Sequence, residues 1–150
     1  MDRLPGLPVA VAALLAGVPE PGRPEQAFHL LSTDVDGRPR AMLLSRAELA
    51  ADSGDLLAVL APSTSRANVE RARVATFLAV EGTTQHVLGL DVHGSRADGD
   101  LLGVRFAVVT AKADSLGIPL EALSFTPTEV LARAERWVRS GVLLRQLAGG

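Results

Sequence analysis

The sequence predicts a mainly β protein with flanking helices, in which about six antiparallel strands form a closed or partly closed barrel. Three observations predict this class. Short apolar segments separated by Gly, Asp and Pro clusters recur through the middle of the chain. The clearest of them alternates apolar and polar side chains, as Leu88, Leu90 and Val92 do with Gly89, Asp91 and His93, which is the pattern of a half-buried strand. Helical spacing is confined to the two ends. Closing such strands on one another removes exposed edges.

The elements follow in order. Leu7, Val11, Leu14 and Leu15 fall at helical spacing, and Pro5 or Pro8 suits a first turn, so residues 7–17 form a short buried helix. The Pro-rich stretch 19–24 forces a loop. Residues 27–33 read as a strand and 38–45 as its hairpin partner, with Pro39 near the strand start or on an edge. Between them Asp34-Val35-Asp36-Gly37 is a turn whose Gly37 can take φ > 0. Residues 46–52 form a short helical or irregular excursion, 53–55 a turn and 56–61 a short apolar strand. Pro62-Ser63-Thr64-Ser65 signals a helix start, with a short helix over 66–71. Further strands occupy 74–80, 83–93 and 101–112, joined by a tight turn at Glu81-Gly82 and a looser one over 94–100. Thr126 as N-cap, Pro127 at the first position and Glu129 at the third begin a C-terminal helix over about 127–148. Val130, Leu131, Ala134, Trp137 and Val138 share one of its faces, and Ser140-Gly141 interrupts it. The whole is one domain, 1–150, with the barrel at about 25–112.

Composition narrows the function. The chain has 150 residues, 47% of them hydrophobic, a net charge of −2 and no Cys. One core of ordinary size is affordable at this length. Cys-ligated zinc, disulfides and cysteine nucleophiles are excluded. Three scattered His residues argue against an all-protein metal site. A near-neutral charge argues against a nucleic-acid partner, and only 3% aromatics against a base-stacking platform. The apolar run 9–16 is too short to span a bilayer and lacks the marks of a signal peptide, which places the protein in the cytoplasm. Fourteen of the fifteen basic residues are Arg, Lys112 being the exception; base composition of the genome accounts for most of that bias.

The candidate chemistry is a phosphate site. Pro62-Ser63-Thr64-Ser65-Arg66-Ala67-Asn68 follows a strand and opens a helix. Free N–H groups at a helix start attract anions, the hydroxyls add donors, and Arg66 offers a bidentate fork. The alternative is that Ser63 or Ser65 merely caps the helix. Arg40 is the second candidate. If Met42 and Leu44 face the core, Arg40 points the same way and needs a partner, for which a phosphate would serve; otherwise it snorkels to solvent from the strand end. No residue stands out as a general acid or base. His29 and His93 read as structural or solvated, and His86, beside Gln85, lies where a cleft could form.

The order of segments resembles the pyridoxamine 5′-phosphate oxidase-like family of flavoproteins. The resemblance is carried by residues 33–40 (TDVDGRPR), 41–45 (AMLLS), 64–68 (TSRAN) and 73–80 (RVATFLAV), and covers about 25–112. It implies a six-stranded antiparallel split β-barrel, an FMN-binding homodimer with the cofactor at the subunit interface. By position, Arg40, Ser63, Thr64, Ser65 and Arg66 would hold the flavin phosphate. Backbone and side chains of Ala41, Met42, Leu43 and Leu44 would lie along the ring, and Gln85 could reach flavin atoms from its strand. The chain departs from the family at Ala67, where members often carry Lys, and its Glu135-Arg136-Trp137 does not reproduce the C-terminal substrate motif of true pyridoxamine phosphate oxidases. The expectation is a flavin-dependent oxidoreductase of unknown substrate. The alternatives are a split barrel that uses haem or F420, and a cofactor-free dimeric binding module. Flavin chemistry needs no protein acid or base, since the cofactor carries the reaction.

Overall fold

Alternation of buried and exposed side chains dictates most strands of the computed structural model, which describes residues 3–149; the ends of the expected 1–150 domain lie outside the described residues. A short helix, α1 (Val9–Leu15), precedes β1 (Glu25–Gln26), β2 (Phe28–Thr33) and β3 (Pro39–Leu44). A 3-10 turn at Arg46–Glu48 leads into β4 (Leu49–Asp52) and β5 (Asp55–Leu60). Then come α2 (Ser63–Ala72), β6 (Val74–Glu81), β7 (Thr84–Asp98), β8 (Leu101–Ser115) and β9 (Ser124–Phe125), and finally α3 (Glu129–Ala134) and α4 (Trp137–Gly149).

Seven strands form one antiparallel sheet in the order β3-β2-β6-β7-β8-β5-β4, and β1 pairs with β9 apart from it. The sheet curls around an inner face. Phe28, Leu30, Leu44, Phe77, Leu88, Leu90, Val104 and Phe106 meet there, joined by Val11 and Leu15 of α1. The Phe28 and Phe77 rings stack at 5.5 Å between centroids. Burying side chains of this size contributes about 1.5–3 kcal/mol each. The outer face is treated unequally. Over β5 and β8 it is covered by α4, whose Leu143 and Leu144 pack on Leu57, Val59 and Leu101. Gly103 makes that approach possible, because a Cβ there would lie 2.8 Å from Leu143 Cγ. Over β3, β2 and β6 the cover is thinner: β1 and residues 121–123 border His29, Leu78 and Val80, and Leu43 is 54% exposed.

The sheet has seven strands where six were expected. The additional one is β4, in the stretch read as an irregular excursion. Ser53 and Gly54 both take positive φ, 53° and 85°, and join it to β5 with Asp52 opposite Asp55. Two positive-φ residues are the backbone of the type I′ hairpin, whose twist suits antiparallel strands. β7 likewise runs on to Asp98 through the region read as a turn, because bulges at Gly89/Leu90 and Val92/Gly94 let it keep pairing with β8. At the C-terminus the N-cap is Thr128, not Thr126: its Oγ1 accepts from the Leu131 N–H at 3.1 Å. The break falls at Arg136, φ 56°, and Ser140-Gly141 lies inside α4. No helix among the described residues is long and apolar enough to cross a membrane.

Candidate functional site

The β2–β3 hairpin and the first turns of α2 enclose a concavity of about 490 Å³. The hairpin closes through the Asp34 N–H to the Arg38 carbonyl (2.8 Å) and the Gly37 N–H to the Asp34 carbonyl (2.9 Å), with Gly37 at φ 86°. This turn delivers Asp34 and Asp36 to one wall and Arg40, at the start of β3, beside them. α2 supplies Ser63, Thr64, Ala67, Asn68 and Arg71 to the opposite wall. Its N-cap position is Pro62, and no side chain caps it. The first-turn N–H groups of the helix therefore have no intrahelical acceptor, and they carry the positive end of its dipole.

A chain of hydrogen bonds ties the two walls together. Asp34 Oδ1 accepts from Arg40 Nε at 2.9 Å and from Asn68 Nδ2 at 2.7 Å. Asn68 Nδ2 also donates to Ser32 Oγ (3.1 Å), and its Oδ1 accepts from Arg71 Nη1 (3.2 Å). Arg71 Nη2 donates to the Thr33 carbonyl. The Asn68 amide and the Arg40 guanidinium hold the Asp34 carboxyl below its ordinary range, against the opposing effect of burial. Asp34 is thus an internal anion seated on Arg40.

The expected phosphate residues separate into two groups. Arg40, Ser63 and Thr64 meet in the concavity. Ser65 does not; it is only 2% exposed, on the inward side of α2. Arg66 folds back, its Nε donating to the Ala61 carbonyl at 3.0 Å. The expectation that Arg40 either finds a partner or reaches solvent resolves into both, since its side chain is 48% exposed and paired with Asp34. Along β3, Ala41 and Leu43 stand on the outer face, opposite Leu31 and His29 of β2, while Met42 packs against the core. Gln85 pairs with Val80 and lines a separate recess of about 230 Å³ with Gln26 and His29. It shares no lining with Arg40.

Two contributors were missed. Arg71 lies one helical turn beyond Ala67, on the same face of α2, and so brings a second guanidinium to the wall where the family's Lys is absent; the i, i+4 spacing is the signal that could have found it. Asn68, within the TSRAN segment, is the other: its buried amide connects Arg71 to Asp34, which Arg40 reaches directly. Among the described residues no group of three His, Asp or Glu is placed to hold a metal ion.

No family model and no curated protein sequence matches this chain. Solved structures do. An F420 reductase superposes with a TM-score of 0.53 at 13% identity, over 71% of this chain and 98% of that one. A proposed oxidoreductase of Sinorhizobium meliloti superposes with a TM-score of 0.51 at 13% identity, over 77% of this chain and 52% of that one. At such identities the likeness is one of fold, and fold alone does not assign an activity. With the strand order and the two-faced sheet described above, it shows that the chain has the split-barrel fold.

Proposed function

We propose that this protein binds FMN, with the phosphate in the concavity between the β2–β3 hairpin and α2, and acts as a flavin-dependent oxidoreductase. The observation that carries the proposal is the meeting of Arg40, Arg71, Ser63 and Thr64 at an α2 N-terminus that no side chain caps. Two guanidinium forks, two hydroxyls and free helix N–H groups are the donor set a phosphate monoester requires. Asp34 is the resident competitor. A phosphate entering the site displaces its carboxylate from Arg40 or draws Arg71 from the Thr33 carbonyl. Ala41 and Leu43, exposed on β3 beyond Arg40, offer an aliphatic track for the ring. When bound, the flavin would supply hydride or electron transfer, and the chain would position it.

The thinly covered outer face of β3, β2 and β6 supports a homodimer. Leu31, Leu78 and Val80 are half-buried there and Leu43 is exposed, an apolar surface that a second copy would cover. The partner would also close the ring side of the site. The F420 reductase fold neighbour favours a second reading, in which F420 takes the place of FMN.

The visible spectrum of freshly purified protein, followed by titration with FMN and with F420, tests both readings. A flavin spectrum or saturable FMN binding that weakens on Arg40→Ala is expected. Binding of F420 but not FMN selects the second reading, and a colourless protein that binds neither overturns both.

A further inference from the structure

At the other end of β3 lies a cleft of about 340 Å³, assembled from segments far apart in sequence: the end of β3, the 3-10 turn, β9 and the α3–α4 break. It shares no lining residue with the concavity around Arg40. Its walls are apolar, with Leu43, Leu44 and Leu131 set beside the edge-to-face pair Phe125–Trp137 at 6.4 Å. Two carboxylates, Glu48 and Glu135, line it, and no Arg, Lys or His does so among the described residues.

Glu48 is the unusual group. It is 8% exposed, and one oxygen, Oε1, accepts from the Ser45 N–H at 3.0 Å to complete a capping box around the 3-10 turn. Capping does not explain the charge, because a glutamine caps as well. Ser45 is the hydrogen-bonding partner of this carboxyl, and a neutral one. Its carboxyl is pushed up to about 7, by burial first and also by the like charge of Glu135, with only Ser45 opposing and no cation contributing. A carboxylate buried without a counter-charge is expensive, and a bound cation would relieve it.

We infer that this cleft binds a small organic cation, an aliphatic or aromatic body bearing one protonated amine, with the ammonium between Glu48 and Glu135 and the body against Leu131 and the Phe125–Trp137 pair. Charge complementarity argues for this occupant, since an anion or a neutral molecule of equal size leaves both carboxylates uncompensated. The aromatic pair adds a surface that attracts cations. The size falls within the range of small-molecule sites.

Trp137 is the only Trp and the chain has no Tyr, so its emission reports on the surroundings of this one side chain in the wall of the cleft. Titration of the full chain, without added flavin, with 2-phenylethylamine at pH 8 should shift that emission saturably. The neutral 2-phenylethanol and the anionic phenylacetate should bind at least about tenfold more weakly, the weight of one charge-assisted hydrogen bond. Glu48→Gln should lose a similar factor for the amine alone. Should that variant fail to fold, Glu135→Gln, at the exposed mouth, should weaken the amine by roughly threefold. Equal binding of amine and alcohol, an amine affinity indifferent to both substitutions, or no saturable shift overturns the inference. So does emission that depends on protein concentration and ignores the amine, which would assign the cleft to a second copy.

Discussion

The two ends of β3 present opposite chemistry within one short strand. At its start, Arg40 and Arg71 face an uncapped helix N-terminus, and the excess cationic character is partly quenched by Asp34. At its end, Glu48 and Glu135 sit in a largely apolar cleft that no Arg, Lys or His among the described residues lines. The first end is polar, open and held in a hydrogen-bonded chain, so its charges cost little and are ready to exchange one anion for another. The second is largely apolar, and burial there pushes the Glu48 carboxyl up. The difference shows that the useful quantity at each end is the compensation the chain leaves incomplete.

The largest expected effect comes from stripping the first end of its cations. Arg40→Ala combined with Arg71→Ala should lower FMN affinity by on the order of a hundredfold while leaving the fold intact, as measured by equilibrium dialysis alongside thermal melts. Retained affinity in a folded double variant would break the comparison at its anionic end.

The second end yields a pH dependence of stability. The folded carboxyl of Glu48 holds its proton up to about 7 against an ordinary 4.5. Below pH 4.5 both folded and unfolded chains carry the proton, and the burial exacts no ionic penalty. As pH rises from 4.5 to about 7 the unfolded carboxyl ionises first, so stability falls by about 3 kcal/mol and then levels off. Urea melts from pH 4.5 to 8 should show this decline, and Glu48→Gln should flatten it. An identical slope in the variant would remove Glu48 as its source.

A smaller effect tests whether Asp34 competes with phosphate. Asp34→Asn removes the carboxylate charge while keeping a side chain able to accept from Asn68. FMN affinity should rise by up to roughly fivefold, the range set by losing one exposed ion pair at Arg40. A weakened affinity would mean that Asp34 orients Arg40 for the ligand instead of occupying it.

The strands were legible because burial alternates along them, and Ser63-Thr64 announced an anion seat through a local rule of helix starts. What escaped was set by three-dimensional direction or by long separation. Arg66 adjoins the hydroxyls in sequence, yet its guanidinium turns back to the Ala61 carbonyl. Arg71 is farther along the chain but one turn below Ala67, and it reaches the concavity. The Asp34 carboxylate read only as part of a turn, because its partners Arg40 and Asn68 arrive from two other elements. β4 was hidden because its hairpin depends on a positive φ at Ser53, which sequence does not advertise. The cleft around Glu48 was invisible for the same reason in stronger form, its walls coming from residues as distant as Leu43 and Trp137.

The most direct measurement of the central claim is a paired titration of the purified protein with FMN and with riboflavin, which differ only in the phosphate. The account predicts that FMN binds at least about tenfold tighter, and that the Arg40→Ala, Arg71→Ala double variant erases the difference. Equal affinity for the two, or a preference for FMN that survives in the double variant, would contradict it.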